Sequence, residues 1–227
     1  MRDKIKQMPK NTFILALDAS MRRSSVAVAH EGSILAFRQD DDDGRGQAER
    51  LLPLIMAVMD DAGLGFESLG LVAATVGPGS FTGLRVGLAA AHGIALAAGI
   101  PVRGVSTFDA LFYAANEKTA AGTPVAVAIN SRRGDLFFRL YHDGKGGDML
   151  SLPPAEAAAL CPKGPLALCG DGASMLAQAL IPGEGLVALE DIAVPDARIV
   201  ARMAASGLAA LPGSPLYLRP PDVTLPS

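Results

Sequence analysis

The chain is 227 residues long, half of them apolar, with a formal net charge of −3 and no tryptophan. That length can bury a sizeable core, as one large domain or two small lobes, and Leu, Val, Ala and Ile must fill it. The acidic balance argues against an autonomous nucleic-acid binder, and no Lys/Arg block stands out beyond the pairs Arg22-Arg23 and Arg132-Arg133.

Residues 1–11 read as a loose leader, with Met8 as an alternative start. A strand is expected over 12–18; its apolar run is ended by Asp18 far too early for a signal core. Strands over 24–30 and 33–38 complete a β-meander with Asp18-Ala19-Ser20 at its mouth. A polar loop over 40–46 leads to an amphipathic helix over 47–62, with Leu51, Leu54, Ile55, Val58 and Ala62 on one stripe. A buried strand over 69–76, a Gly-Pro-Gly turn, a helix over 83–98 capped by Ser80 or Thr82, and a short strand over 101–105 follow. The second half reads as a helix over 107–117, strands over 124–129 and 135–141, a helix over 154–160 and a strand over 166–169. The turn Gly170-Asp171-Gly172, a helix over 173–180, a last helix over 196–211 after Pro195 and an extended proline-rich tail complete it. Two α/β lobes divided near residue 105 fit this order: 12–105 and 106–227.

Several chemistries find no residues. His30, His92 and His142 lack metal-ligand spacing. Placing Gly44 at the sixth position of a calcium loop puts Gln39 first and Arg50 twelfth, where acids are required, so the acidic run 40–43 reads as a solvated loop. No G-x-S-x-G elbow occurs, and no nucleophile–base pair for a peptidase can be placed. His92 reads as a packing or interface residue and Cys169 as core; with Cys161 it lacks C-x-x-C spacing, so reduced thiols in a cytoplasmic protein are expected. The helix over 83–98 is apolar, but Arg85, His92 and its length speak against a membrane span.

The densest signal is 75–87 (TVGPGSFTGLRVG). Strand, glycine turn and helix start make a corner suited to anions. Yet the loop has no lysine, and Gly77, Gly79 and Gly83 fit neither the Walker A nor the dinucleotide spacing. On the helix, Gly83, Gly87 and Ala91 recur every four residues, a small-residue face built for close packing. It belongs either to an interface or to the interior of the same chain.

The segments 14–20 (ILALDAS), 47–53 (QAERLLP), 77–87 (GPGSFTGLRVG), 104–108 (GVSTF), 132–135 (RRGD) and 217–219 (YLR), in that order, resemble the TsaB (YeaZ) family over about residues 12–220. The resemblance implies an α/β, two-lobed actin/Hsp70/sugar-kinase-like (ASKHA) fold with mixed sheets flanked by helices. It implies a non-catalytic subunit of the bacterial machinery that adds a threonylcarbamoyl group to N6 of adenosine 37 in tRNAs reading codons that start with A. Its partners would be the catalytic subunit TsaD and the ATPase TsaE, or a second copy of itself, with tRNA reached through the complex, and with no cofactor and no membrane. The TsaD pattern G-V-x-H-x-x-x-H carries two metal-binding histidines where this chain has Thr107 and Leu111, so no metal site and no catalytic residues are implied. The family often has His where Gln47 stands here. The expected interface is Leu51, Ile55, Val58, Gly83, Gly87 and Ala91; Asp18, Gly79, Ser80 and Asp171 are expected as vestigial nucleotide contacts. The competing reading is a stand-alone ASKHA-type ATPase or phosphotransferase. Against it, Gly170-Asp-Gly-Ala173 only partly fits a D-x-G-[ST] phosphate turn.

Overall fold

The computed structural model describes residues 12–40, 46–180 and 185–219. The expected leader, the acidic loop 41–45 and the tail beyond 219 lie outside them. A strand apolar on both faces is covered on both faces, and β1 (Phe13–Asp18) is one. Leu15 and Leu17 point to one side, Ile14 and Ala16 to the other, and all four are buried. β2 (Ser24–His30) and β3 (Ser33–Asp40) extend it as an antiparallel meander. α1 (Gln47–Asp61) then leads to β4 (Leu69–Gly77), parallel to β1, and α2 (Phe81–Ala98) carries the chain to β5 (Val102–Ser106), parallel to β4.

α3 (Thr107–Asn116) opens the second half. β6 (Val125–Asn130) and β7 (Leu136–His142) form a hairpin, followed by the short β8 (Lys145–Gly146) and β9 (Leu150–Leu152), both paired to β7. α4 (Pro154–Leu160), β10 (Leu166–Cys169), α5 (Ala173–Ala179) and β11 (Leu186–Ala188) follow. α6 (Ala197–Ala205) and β12 (Leu211–Pro212) end the described fold. The sheets run β12-β5-β4-β1-β2-β3 and β11-β10-β6-β7-β8.

Here the expected division at residue 105 needs correction. Ile199, Val200 and Met203 of α6 pack on Ile14, Ala16, Ala27 and Ala29, the sheet face that α1 and α2 leave open. β12 pairs antiparallel with β5. The chain after 195 therefore returns to the first sheet instead of completing the second. α6 also stops at Ala205, short of the expected 211. Gly207 takes φ 80°, and Gly207 N and Leu208 N donate to the carbonyls of Ala204 and Met203, a glycine-terminated C-cap.

α3 lies on one face of the second sheet, with Phe108 and Leu111 against Val125, Val127 and Ile129. α4 and α5 cover the other through Ala157 and Leu176.

Candidate functional site

Four turns meet where the lobes face each other: 20–22 after β1, 78–81 between β4 and α2, 130–133 between β6 and β7, and Asp171 after β10. With 216–219 they line a cleft of about 1030 Å³. Glycine backbones stitch the first two turns together. Ser80 N donates to the Ser20 carbonyl at 2.7 Å, and a Cβ on Gly79 would collide with that same oxygen. Ser80 caps α2, its Oγ accepting from Gly83 N at 3.2 Å. Across the cleft, Gly172 N donates to the Ala128 carbonyl at 3.0 Å. These amides, which a phosphate loop would aim at its ligand, are engaged by the chain's own oxygens, the Ser20 and Ala128 carbonyls and the Ser80 hydroxyl.

Of the expected vestigial contacts, Gly79, Ser80 and Asp171 line the cleft. Asp18 does not, because it is fully buried beneath the first turn. Its Oδ1 accepts from Ser20 N (3.1 Å), Ser20 Oγ (2.6 Å) and Thr75 Oγ1 (2.6 Å), while Oδ2 is buried without a hydrogen bond. Burial pushes its pKa up to about 6, against the pull of those hydrogen bonds. Asp18 holds the β1–β2 turn. Asp171 accepts from Asn130 N (2.8 Å) and Arg132 Nη2 (2.9 Å). Partial burial raises its pKa; the Asn130 hydrogen bond and Arg132 oppose that. It organises the 130–133 turn, where Arg132 takes φ 65°.

The expected interface residues are interior. Leu51, Ile55, Val58 and Ala91 are at most 1 % exposed, and Gly83 and Gly87 are buried as well. A Cβ on Gly83 would strike the Ala19 carbonyl, and one on Gly87 would lie 3.3 Å from Ala19 Cβ. The small-residue stripe exists so that α2 can lie on the β1–β2 turn. The exposed apolar surface is on the far side of the same helices. There α1 and α2 form a groove of about 590 Å³, lined by Leu52, Val86, Ala90, Ile94 and Ala97 among others and floored by Leu51. Leu52 is 54 % exposed and its α1 neighbour Met56 65 %. The sequence held a usable signal for it: once the small stripe of α2 is placed inside, a helix apolar all round still has apolar residues left over.

Gln47, at the start of α1, donates from Nε2 to the Met21 carbonyl (2.8 Å) and Ser24 Oγ (3.3 Å), tying α1 to the turn of the first hairpin. His92 Nε2 lies 2.5 Å from the Gly213 carbonyl and fastens the C-terminal segment along α2. Cys169 is a core thiol that burial pushes up to about 12.

The family model for TsaD, tRNA N6-adenosine threonylcarbamoyltransferase, matches residues 41–149. The tRNA threonylcarbamoyladenosine biosynthesis protein TsaB of Escherichia coli (strain K12) is 34 % identical over 134 residues, 59 % of this chain and 57 % of that protein. The uncharacterized protein Rv3421c of Mycobacterium tuberculosis (strain ATCC 25618 / H37Rv) is 33 % identical over 219 residues, 92 % of each chain. The solved structure of YeaZ from Pseudomonas aeruginosa superposes with a TM-score of 0.77 at 28 % identity, covering 91 % of this chain and all of that one. The chain belongs to the TsaB/YeaZ family. It aligns with just over half the length of the curated TsaB proteins, and its fold is the two-lobed ASKHA fold.

Within this TsaB/YeaZ-family chain, Thr107 and Leu111 are fully buried at the start of α3 and in the second core. A hydroxyl and an isobutyl group offer no imidazole-like donor to a metal. By length and composition α2 could cross a membrane. Here it is the β4–β5 crossover, with Leu84, Leu88, Ala91 and Ala95 buried in the chain's own interior.

Proposed function

We propose that this chain is the non-catalytic partner subunit of the bacterial complex that adds a threonylcarbamoyl group to tRNA adenosine. In this reading it binds and supports the catalytic subunit TsaD, the ATPase TsaE joins the pair, and the assembly works in the cytoplasm. The observation that carries it is the α1–α2 groove. A long apolar cleft flanked by exposed Leu52 and Met56 suits a partner helix laid along it, since apolar anchors in a central groove dominate interface energetics. The same groove takes a second copy of the chain when TsaD is absent, so homodimer and mixed complex compete. The partner-binding lobe is 12–105 joined by α6 and β12. Catalysis stays with TsaD, and Gly79, Ser80 and Asp171 are remnants of a nucleotide site.

Light scattering on a sizing column, with the protein alone and mixed with TsaD, tests this. A homodimer replaced by a mixed complex is expected. The double variant Leu52→Glu/Met56→Glu should lose both assemblies while its thermal midpoint stays close to wild type, because both side chains are exposed. A wild-type protein that remains unmixed with TsaD overturns the reading. A midpoint that rises with millimolar Mg-ATP would favour a nucleotide-binding enzyme instead.

A further inference from the structure

The two lobes share a spine. α3 turns Ala110 to the core beneath α6 on the first sheet, and Phe108 and Leu111 to the core of the second. Beside it, residues 189–196 carry the chain back from β11 to α6. The ion pair Lys118–Asp191 ties the end of α3 to that crossing, and Glu117–Arg202 ties it to α6. Neighbouring crossings tied together make a hinge: they fix where two lobes pivot, but not how far the cleft between them opens.

The C-terminal segment crosses between the lobes at the cleft itself, where 216–219 form part of the lining. Its leading part belongs to the first lobe. The Gly213 carbonyl lies 2.5 Å from His92 Nε2, and Leu216 N donates to the Val76 carbonyl at 2.7 Å, with the Leu216 side chain packed on the first core. Tyr217 Oη accepts from Arg85 Nε at 3.2 Å, and its ring lies against Phe81 with centroids 5.5 Å apart. The next two residues belong to the second lobe. Leu218 packs on the core that holds Val127 and Ile129, and Arg219 pairs with Asp135 just before β7. Leu216 and Leu218, two positions apart, are thus seated in different lobes.

We propose that residues 213–219 are a clasp that holds the lobes at one opening, with α3 as the pivot. The two ends differ in strength. Main-chain hydrogen bonding and ring contacts fasten the first-lobe end, whereas the second-lobe end rests on the side chains of Leu218 and Arg219. A partly exposed ion pair contributes little by itself, so Leu218 supplies the grip and Arg219 fixes its position. The second-lobe end is therefore the one that releases. Closure of the lobes onto a ligand, the usual motion of hinged two-lobed proteins, requires that release first.

The test is pulsed electron double resonance on the full chain, with nitroxides on Glu49→Cys in α1 and Glu156→Cys in α4, both exposed. Cys161 is replaced by serine, and Cys169 is buried and stays unlabelled. Dilution with excess unlabelled chain leaves only distances within one molecule. Wild type should give one narrow distance peak. Leu218→Ser with Arg219→Ala should shift or broaden it by more than about 2 Å, the scale of a domain rearrangement. Ser214→Ala, exposed on the same segment, should leave the peak in place. A broad wild-type distribution overturns the proposal. So does a wild-type peak in the double variant, even with a lowered thermal midpoint, because the segment would then stabilise the fold without setting the opening. Should the double variant fail to fold, the milder Leu218→Ala is judged by the same two outcomes.

Discussion

Replacing Gly83, Gly87 and Gly93 of α2 with alanine, one at a time, applies the same methyl group in three surroundings. At Gly93 a Cβ meets nothing within 4 Å, so only the helix preference for alanine acts and the variant gains about 0.5–1 kcal/mol. At Gly87 the Cβ comes 3.3 Å from Ala19 Cβ. A shift of a few tenths of an ångström there offsets most of the same gain, leaving the variant within about 1 kcal/mol of wild type. At Gly83 the Cβ would sit far inside contact distance of the Ala19 carbonyl, a backbone atom fixed between β1 and the hairpin turn. Overpacking of this kind costs about 1–3 kcal/mol, and because backbone must move the upper end applies. For a chain of this size 1 kcal/mol is about 2–4 °C in midpoint. Thermal melts should therefore rank Gly93→Ala above wild type, Gly87→Ala beside it and Gly83→Ala roughly 6–12 °C below. Should Gly83→Ala melt with wild type, the stripe does not pack on the β1–β2 turn and the interior assignment of this face fails.

Asp18 gives a pH signature. Its folded pKa is raised from 3.8 to about 6, so the folded state holds that proton more tightly than the unfolded chain. The resulting stability is present below pH 3.8 and lost as pH rises to about 6, on the order of 3 kcal/mol in all. The midpoint of Asp18→Asn relative to wild type should rise across that window and level off above it; parallel curves would contradict the assignment. Tyr141→Phe removes the hydrogen bond that Tyr141 Oη donates to Asp109 at 2.6 Å, but keeps the ring stacked on Phe112 at 4.0 Å. Because Arg139 still pairs with Asp109, a loss of about 1 kcal/mol in urea unfolding is expected, and a loss above about 3 kcal/mol would mean the ring itself had moved.

The long elements were legible because their patterns are strong. The apolar runs at 69–76 and 124–129 and the stripe of α1 specify β4, β6 and α1 to within a residue or two. β8, β9, β11 and β12 have two or three residues each, too few for any period to register. The return of α6 to the first sheet was hidden for a different reason. Its stripe of Ile199, Val200 and Met203 says that it covers something, and only the open face of β1 and β2 says what. The interface residues were misplaced by the same ambiguity. Small residues every four positions announce a close neighbour without saying whether it belongs to the same chain.

The glycine motif is where sequence and chemistry part most instructively. Gly77, Gly79 and Gly83 look like a phosphate loop, yet a Cβ at each would run into a main-chain carbonyl: Leu216 for Gly77, Ser20 for Gly79, Ala19 for Gly83. The amide of Leu216 in turn donates to Val76 at 2.7 Å, so the C-terminal segment is laced over the turn that opens α2. Glycine is required here because three backbones cross, with no ligand needed to explain it. That lacing sets Tyr217 against Phe81 and Arg85. It also fixes α2 with one face on the β1–β2 turn and the opposite face open in the groove. The surface proposed for TsaD is therefore positioned by the same packing motif that sets Tyr217 against Phe81. A substitution at Gly79 should disturb stability and pairing with TsaD at once, whereas Met56→Glu should disturb only the pairing.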